Sequence, residues 1–141
     1  MSIELATQNA VIRTIVPENI RLGFLPRLLG TIPGLRFEHQ TYAIMRMLCT
    51  DYNGGFWQYA ELSNGGGFMF PQRNEPMALQ WSDNYFKGVA TPEVAGIIAS
   101  LISLSALSAA GDRFGTLNNL LLDYVACLES DDRELINRAI D

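Results

Sequence analysis

Reactive side chains are scarce in this sequence, which holds two cysteines and one histidine among 141 residues. Cys49 and Cys127 lack CxxC spacing, which argues against a thiolate metal site and a disulfide framework. Both sit in apolar helical patterns and read as small core residues. His39 has no nucleophile at catalytic spacing and reads as a solvated side chain. Charged residues make up only 18% of the chain, for a net charge of −5. Lysine and arginine form no cluster, so the basic footprint of a nucleic-acid-binding protein is absent. Long unbroken apolar runs are missing too. The most hydrophobic stretch, Val94 to Ala110, carries Ser100, Ser103, Ser105 and Ser108 and is short for a bilayer. The Met-Ser-Ile-Glu opening is acidic and has no apolar signal-peptide core. These absences lead us to expect a cytoplasmic protein that makes no use of a membrane or of direct nucleic-acid contact.

Catalytic signatures are absent as well. The sequence contains no HExxH, no GxSxG and no Cys–His combination with an orienting partner. Its glycines lack the strand–GxxxxGK[ST]–helix or GxGxxG context of a phosphate cradle, and nothing calls for a cofactor or metal. Asp51 and Glu61 are the best carboxylate pair. They flank an extended stretch that rises about 3.4 Å per residue, a separation beyond that used in glycoside hydrolysis. A small hydrolase using Asp51 and Glu61 is thus the weaker alternative to a protein without chemistry.

What the chain does have is an unusual run from Asp51 to Pro71, with five glycines and six aromatics in 21 positions. Phe56 to Leu62 reads as one strand, Ser63 to Gly66 as a turn marked by Asn64-Gly65, and Gly67 to about Gln72 as the return strand. Trp57, Tyr59, Phe68 and Phe70 are either core rings or an aromatic patch for a partner. In the second case Asp51, Asn53, Glu61 and Asn64 supply its polar rim.

Around this hairpin, Ala10 to Val16 is β-branched and reads as a strand. Ile20 to Leu29 has helical spacing broken by Gly23 and Pro26, with Arg21 and Arg27 solvated. Gly30 to Gly34 reads as a loop. Phe37, Thr41, Ile44, Met45, Leu48 and Tyr52 make one stripe of a helix over 37–52. Met77 to Trp81 suits a third strand of the hairpin's sheet, and Ser82 to Gly88 a connecting loop with an Asp83–Lys87 ion pair. Thr91-Pro92-Glu93 starts a helix that runs to about Ala110, with Ala95, Gly96, Ala99 and Ser103 small enough for close packing. A further helix spans about Arg113 to Glu129. A last short helix follows Asp131-Asp132-Arg133-Glu134 and ends at Asp141, whose carboxylate opposes the helix dipole. Asp141 is either a frayed end or a contact residue for a partner or for Arg138.

The runs Asp51-Tyr52-Asn53-Gly54-Gly55-Phe56-Trp57 and Glu61-Leu62-Ser63-Asn64-Gly65-Gly66 closely resemble the core signature of the ArdB/KlcA type of antirestriction protein. The resemblance extends to Phe24-Leu25-Pro26, to Thr91 through Leu107 and to Arg138-Ala139-Ile140-Asp141. It implies a product of plasmids and other mobile elements that opposes type I DNA restriction–modification enzymes, with no cofactor. Together with the pattern it implies an α+β fold. A small antiparallel sheet of three or four strands, including the hairpin at 56–72, is packed by four to five helices. We expect one domain over 1–141, with residues 1–9 loosely held.

Some antirestriction proteins imitate DNA, but charge argues against that here. A domain of this size is about 35–40 Å across, and matching duplex spacing over that length takes on the order of 20 net negative charges. The chain's 15 acidic groups are largely offset by 10 basic ones. The expected partners are therefore type I restriction enzyme subunits or a host factor linked to them. A weak homodimer and a role as a plasmid-maintenance or regulatory adaptor stay open.

Overall fold

The computed structural model describes residues 10–141; the loosely held segment expected at 1–9 lies outside the described residues. In chain order the elements begin with β1 (Arg13–Ile15), a 3-10 helix (Glu18–Gly23), α1 (Phe24–Leu29) and α2 (Thr31–Leu48). Then come β2 (Trp57–Leu62), β3 (Gly67–Pro71), β4 (Met77–Trp81) and β5 (Phe86–Ala90). The chain closes with α3 (Pro92–Leu107), a 3-10 turn (Ser108–Ala110), α4 (Asp112–Val125) and α5 (Ser130–Ile140). The fold is α+β, as expected.

The strands form two antiparallel sheets, β1-β2-β3 and β4-β5. The expected hairpin is the centre of the first, with Trp57 opposite Pro71 and Tyr59 opposite Met69. The expectation for Met77 to Trp81 needs correction, because this strand pairs with Phe86–Ala90 instead of joining the hairpin. The physical reason lies at the outer edge of β3. There the Met69 N–H donates to the Ser100 hydroxyl at 3.2 Å, and that hydroxyl donates to the Met69 carbonyl at 3.3 Å. A side chain from α3 thus satisfies the two Met69 edge groups, in the middle of β3, that a further strand would have used. The region expected as a loop over 82–88 accordingly contains the start of β5.

The central helix α3 is capped as expected. Thr91 Oγ1 accepts from the Val94 N–H, Pro92 opens the helix, and nearly every side from Val94 to Leu104 is buried. Its small residues allow close approach. A Cβ built on Gly96 would meet Phe70 and Met69 of β3, and buried Ser103 accepts from Thr41 Oγ1 of α2 at 3.1 Å. The stretch Pro92–Ala110 is long and apolar enough to cross a membrane, yet 56% of its apolar window is buried inside the fold. Helix α2 carries the expected stripe, with Phe37, Thr41, Ile44, Met45 and Leu48 buried.

Helix limits are where expectation and structure part. Thr31 to Gly34, expected as loop, form the first turn of α2, because Gly30 at φ 98° alone turns the chain out of α1. Helix α2 stops at Leu48 rather than Tyr52, and Cys49 is extended. Helix α4 ends at Val125, which leaves Cys127 exposed rather than in the core; Cys49 is buried as expected. Among the described residues the ion pairs are Arg13–Glu93 and Arg73–Glu75. The expected Asp83–Lys87 pair is not among them.

Candidate interaction surface

Of the residues expected to make an aromatic patch, Trp57 is 2% exposed and Tyr59 5%, and Phe68 and Phe70 are buried too. The patch is core, because α3 covers β3, Phe24 of α1 meets the Tyr59 ring and Tyr42 of α2 meets the Trp57 ring. Trp57 Nε1 donates to the Tyr52 hydroxyl at 2.7 Å, and its ring meets Tyr42 and Tyr52 edge-on. The Tyr59 hydroxyl sits 3.4 Å from Glu38 Oε1, which also accepts from Tyr42 at 2.8 Å. Burial pushes the Tyr42 phenol far up, and its hydrogen bond to Glu38 adds to the shift. Burial raises Tyr59 as well, with the Glu38 charge second.

Asn64 is also structural. Its Nδ2 donates to the Leu120 carbonyl at 2.9 Å and its Oδ1 accepts from the Gly66 N–H at 3.0 Å. Both ends of the amide are used inside the fold, so it is not part of a free rim. Asp51, Asn53 and Glu61 are exposed as a rim requires. Asp51 and Asn53 lie in the segment after α2, where Gly54 and Gly55 take φ of 97° and 121°. Glu61 borders a small cavity of about 160 Å³ with Phe24, Arg27 and Arg113.

Arg21 corrects a further expectation. Instead of being simply solvated, it donates to the Trp57 carbonyl at 2.6 Å and lies 4.2 Å over the Phe56 ring and 5.2 Å over Tyr59. A guanidinium that stacks on rings while donating in-plane is what the aromatic start of β2 can accept. Arg27, by contrast, is exposed as expected.

A further exposed surface lies on the β4–β5 turn, which the sequence pattern marked only as a loop. Tyr85 is 93% exposed and holds φ 60°, the one non-glycine residue at positive φ among those described. Such a conformation is unfavourable for a bulky side chain and persists only where the surroundings enforce it. Asn84 enforces it. Its Oδ1 accepts from the Phe86 N–H, while its Nδ2 donates to the carbonyls of Arg138 at 3.2 Å and Ala139 at 2.9 Å. The turn is thereby pinned to the end of α5.

Beside Tyr85 a groove of about 510 Å³ is lined by Met47, Trp81, Tyr85 and Phe86 together with Gln80, Ser82 and Lys87. A second cavity of about 490 Å³, which Tyr85 and Phe86 also line, brings Asn84, Lys87, Arg138 and Asp141 together. Asp141 therefore sits beside the Tyr85 turn. The Arg138 guanidinium lies 5.6 Å over the Phe86 ring, and no Asp141–Arg138 ion pair is formed among the described residues. The signal for this site was present in the turn chemistry of Ser82-Asp83-Asn84. The positive φ at Tyr85 and the contact with α5 depend on the tertiary structure.

Comparison with known proteins identifies relatives over most of the chain. The profile of the antirestriction protein family matches residues 50–141. An antirestriction protein KlcA of Escherichia coli is 36% identical over 139 residues, covering 93% of this chain and 94% of that protein. A putative antirestriction protein of Escherichia coli K12, YubI, is 34% identical over 90 residues, covering 64% of this chain and 62% of its own. Among solved structures, one from work on KlcA and ArdB matches with a TM-score of 0.84 at 34% identity, covering 93% of this chain and 95% of that one. The KlcA and ArdB proteins are described as showing a novel fold and antirestriction activity against type I DNA restriction systems in vivo but not in vitro.

Proposed function

This chain belongs to the antirestriction protein family, and from that premise we propose that it opposes type I DNA restriction–modification enzymes by touching other proteins. It acts as one cytoplasmic domain encoded by a mobile element, without catalysis and without imitating DNA. The observation that carries this reading is the shared fold, over 93% of the chain, with proteins active against type I systems in vivo.

Charge supports contact over mimicry. Exposed carboxylates are spread over many elements, among them Glu18, Asp51, Glu61, Asp83, Asp123, Glu134 and Asp141, and Arg27, Lys87 and Arg138 are exposed on the same fold. An excess of five negative charges is a quarter of what a duplex-like surface of this length needs, about 20. Asp51, Asn53, Glu61 and Asp141 are the polar groups positioned to meet a partner. Trp57, Tyr59 and Asn64 act behind them by holding the hairpin in shape. The activity of KlcA and ArdB in cells, not matched in vitro, favours a host factor as the first contact over the restriction enzyme itself.

The test is a challenge with unmodified phage in strains with and without a type I system, with the chain expressed in each. Protection confined to the restricting strain is the expected result. Equal effects in both strains would favour a regulatory or maintenance adaptor instead. A pull-down from the protected cells then separates a restriction subunit from a host factor as the bound partner.

A further inference from the structure

We propose that the groove beside Tyr85 is a docking site for an acidic segment of a protein partner that carries one large apolar side chain. This deepens the reading above and rests on it. The groove's volume of about 510 Å³ lies in the range of sites that enclose a ligand group. Its walls are mainly apolar, with Met47 from the end of α2 and Trp81, Tyr85 and Phe86 from the β4–β5 hairpin, while Gln80 and Ser82 add polar groups. Met47 and Tyr85 are among the most exposed large apolar side chains of the fold. Exposed aromatic and methionine side chains around a concave centre are the composition of an interface hot spot.

The turn is built before any partner arrives. Asn84 fixes it with bonds to Phe86, Arg138 and Ala139, so Tyr85 stands out from the surface on a backbone already committed to φ 60°. An anchor fixed in advance loses little freedom on binding, which is how a small site gains affinity.

The charge selects the occupant. Lys87, the chain's only lysine, is the one charged side chain lining the groove. Arg46 is exposed beside Met47 in the sequence, and Arg138 lines the second cavity together with Tyr85 and Lys87. Asp83 in the turn and Asp141, which shares the second cavity with Lys87 and Arg138, do not line the groove. A carboxylate next to the inserted apolar side chain would pair with Lys87. Bases could also stack on Trp81 and Tyr85, but the single lysine lining the groove can pair with one carboxylate and offers no basic track for a phosphate backbone.

Selection from a phage-displayed random peptide library on the immobilised full chain tests this. Recovered peptides would then be titrated against wild type, Tyr85→Gly, Lys87→Glu and Lys87→Arg. Glycine accepts φ 60° without strain, so Tyr85→Gly removes the ring and leaves the turn able to form. We expect peptides that combine Asp or Glu with Phe, Trp or Leu. Their affinity should fall about tenfold or more with Tyr85→Gly and with Lys87→Glu, the range for a lost hot-spot contact, and hold with Lys87→Arg. Basic peptides, peptides indifferent to both substitutions, no enrichment, or tighter binding of a labelled single-stranded oligonucleotide at the same residues would each overturn the proposal. The same variants go into the phage challenge. If wild type, Tyr85→Gly and Lys87→Glu all protect equally, the groove is refuted while the antirestriction reading stands. If wild type fails to protect, that reading falls and takes the docking role with it.

Discussion

Gly96 of α3 lies so close to Phe70 of β3 that no side chain fits between them. A Cβ at Gly96 would stand 2.5 Å from both the Phe70 Cα and the Met69 carbonyl oxygen. These neighbours are backbone and cannot swing aside. Alanine is the better helix former by about 1 kcal/mol, yet Gly96→Ala should destabilise the fold by about 1–3 kcal/mol through overpacking. Urea melts of the two proteins would measure it, and an unchanged or higher midpoint would contradict the contact.

Ser100 closes the same interface by bonding both backbone groups of Met69. Ser100→Ala leaves a buried N–H and C=O without partners and should cost about 1–3 kcal/mol. Hydrogen exchange gives a local readout. The Met69 amide should exchange faster in the variant even under conditions where global stability is restored by osmolyte.

Arg21 ties the 3-10 helix to β2 through the Trp57 carbonyl and the Phe56 ring. Arg21→Ala should lower stability by about 1.5–3 kcal/mol, the range for a hydrogen bond from a charged group. Arg21→Lys should recover only part of that, since lysine lacks the planar fork. Equal melting temperatures for Arg21→Ala and wild type would show that the guanidinium is not holding the strand.

The raised phenols set a sign for alkaline pH. Tyr42, Tyr59 and Tyr124 all titrate above the ordinary tyrosine value in the folded chain, chiefly because burial disfavours the anion. Their contribution is complete below the unfolded-state value of about 10 and is lost as pH rises through the folded values. Stability should therefore fall as pH climbs above about 10. Tyr42→Phe should flatten part of that fall, as read from denaturant midpoints between neutral and alkaline buffer. A wild-type midpoint that held steady in alkali would refute the linkage.

Cys127 is exposed and Cys49 is buried. A thiol-reactive chromophore should thus label Cys127 rapidly in the native protein and Cys49 only after denaturant is added. Prompt reaction of both thiols in the native state would mean that the segment after α2 opens.

The amino-acid pattern by itself determined the elements whose signals are local. The Thr91-Pro92 start of α3, the apolar stripe of α2 and the Asn64-Gly65 turn between β2 and β3 follow from capping, helical period and φ preference within a few residues. Charge bookkeeping likewise set the electrostatic class, and the run from Asp51 to Gly66 pointed to the family.

Tertiary structure decided which groups face out and which edges are open. Trp57 and Tyr59 became core because Tyr42 of α2 packs on the Trp57 ring and Phe24 of α1 on the Tyr59 ring, relations between residues far apart in sequence. Met77–Trp81 left the hairpin's sheet because Ser100 had taken the edge of β3. Arg21 turned inward because rings from β2 came within its reach. Tyr85 holds a left-handed turn because Asn84 reaches the carbonyls of α5. Each outcome rests on a contact that forms only once distant segments meet, and local periodicity carries no term for that.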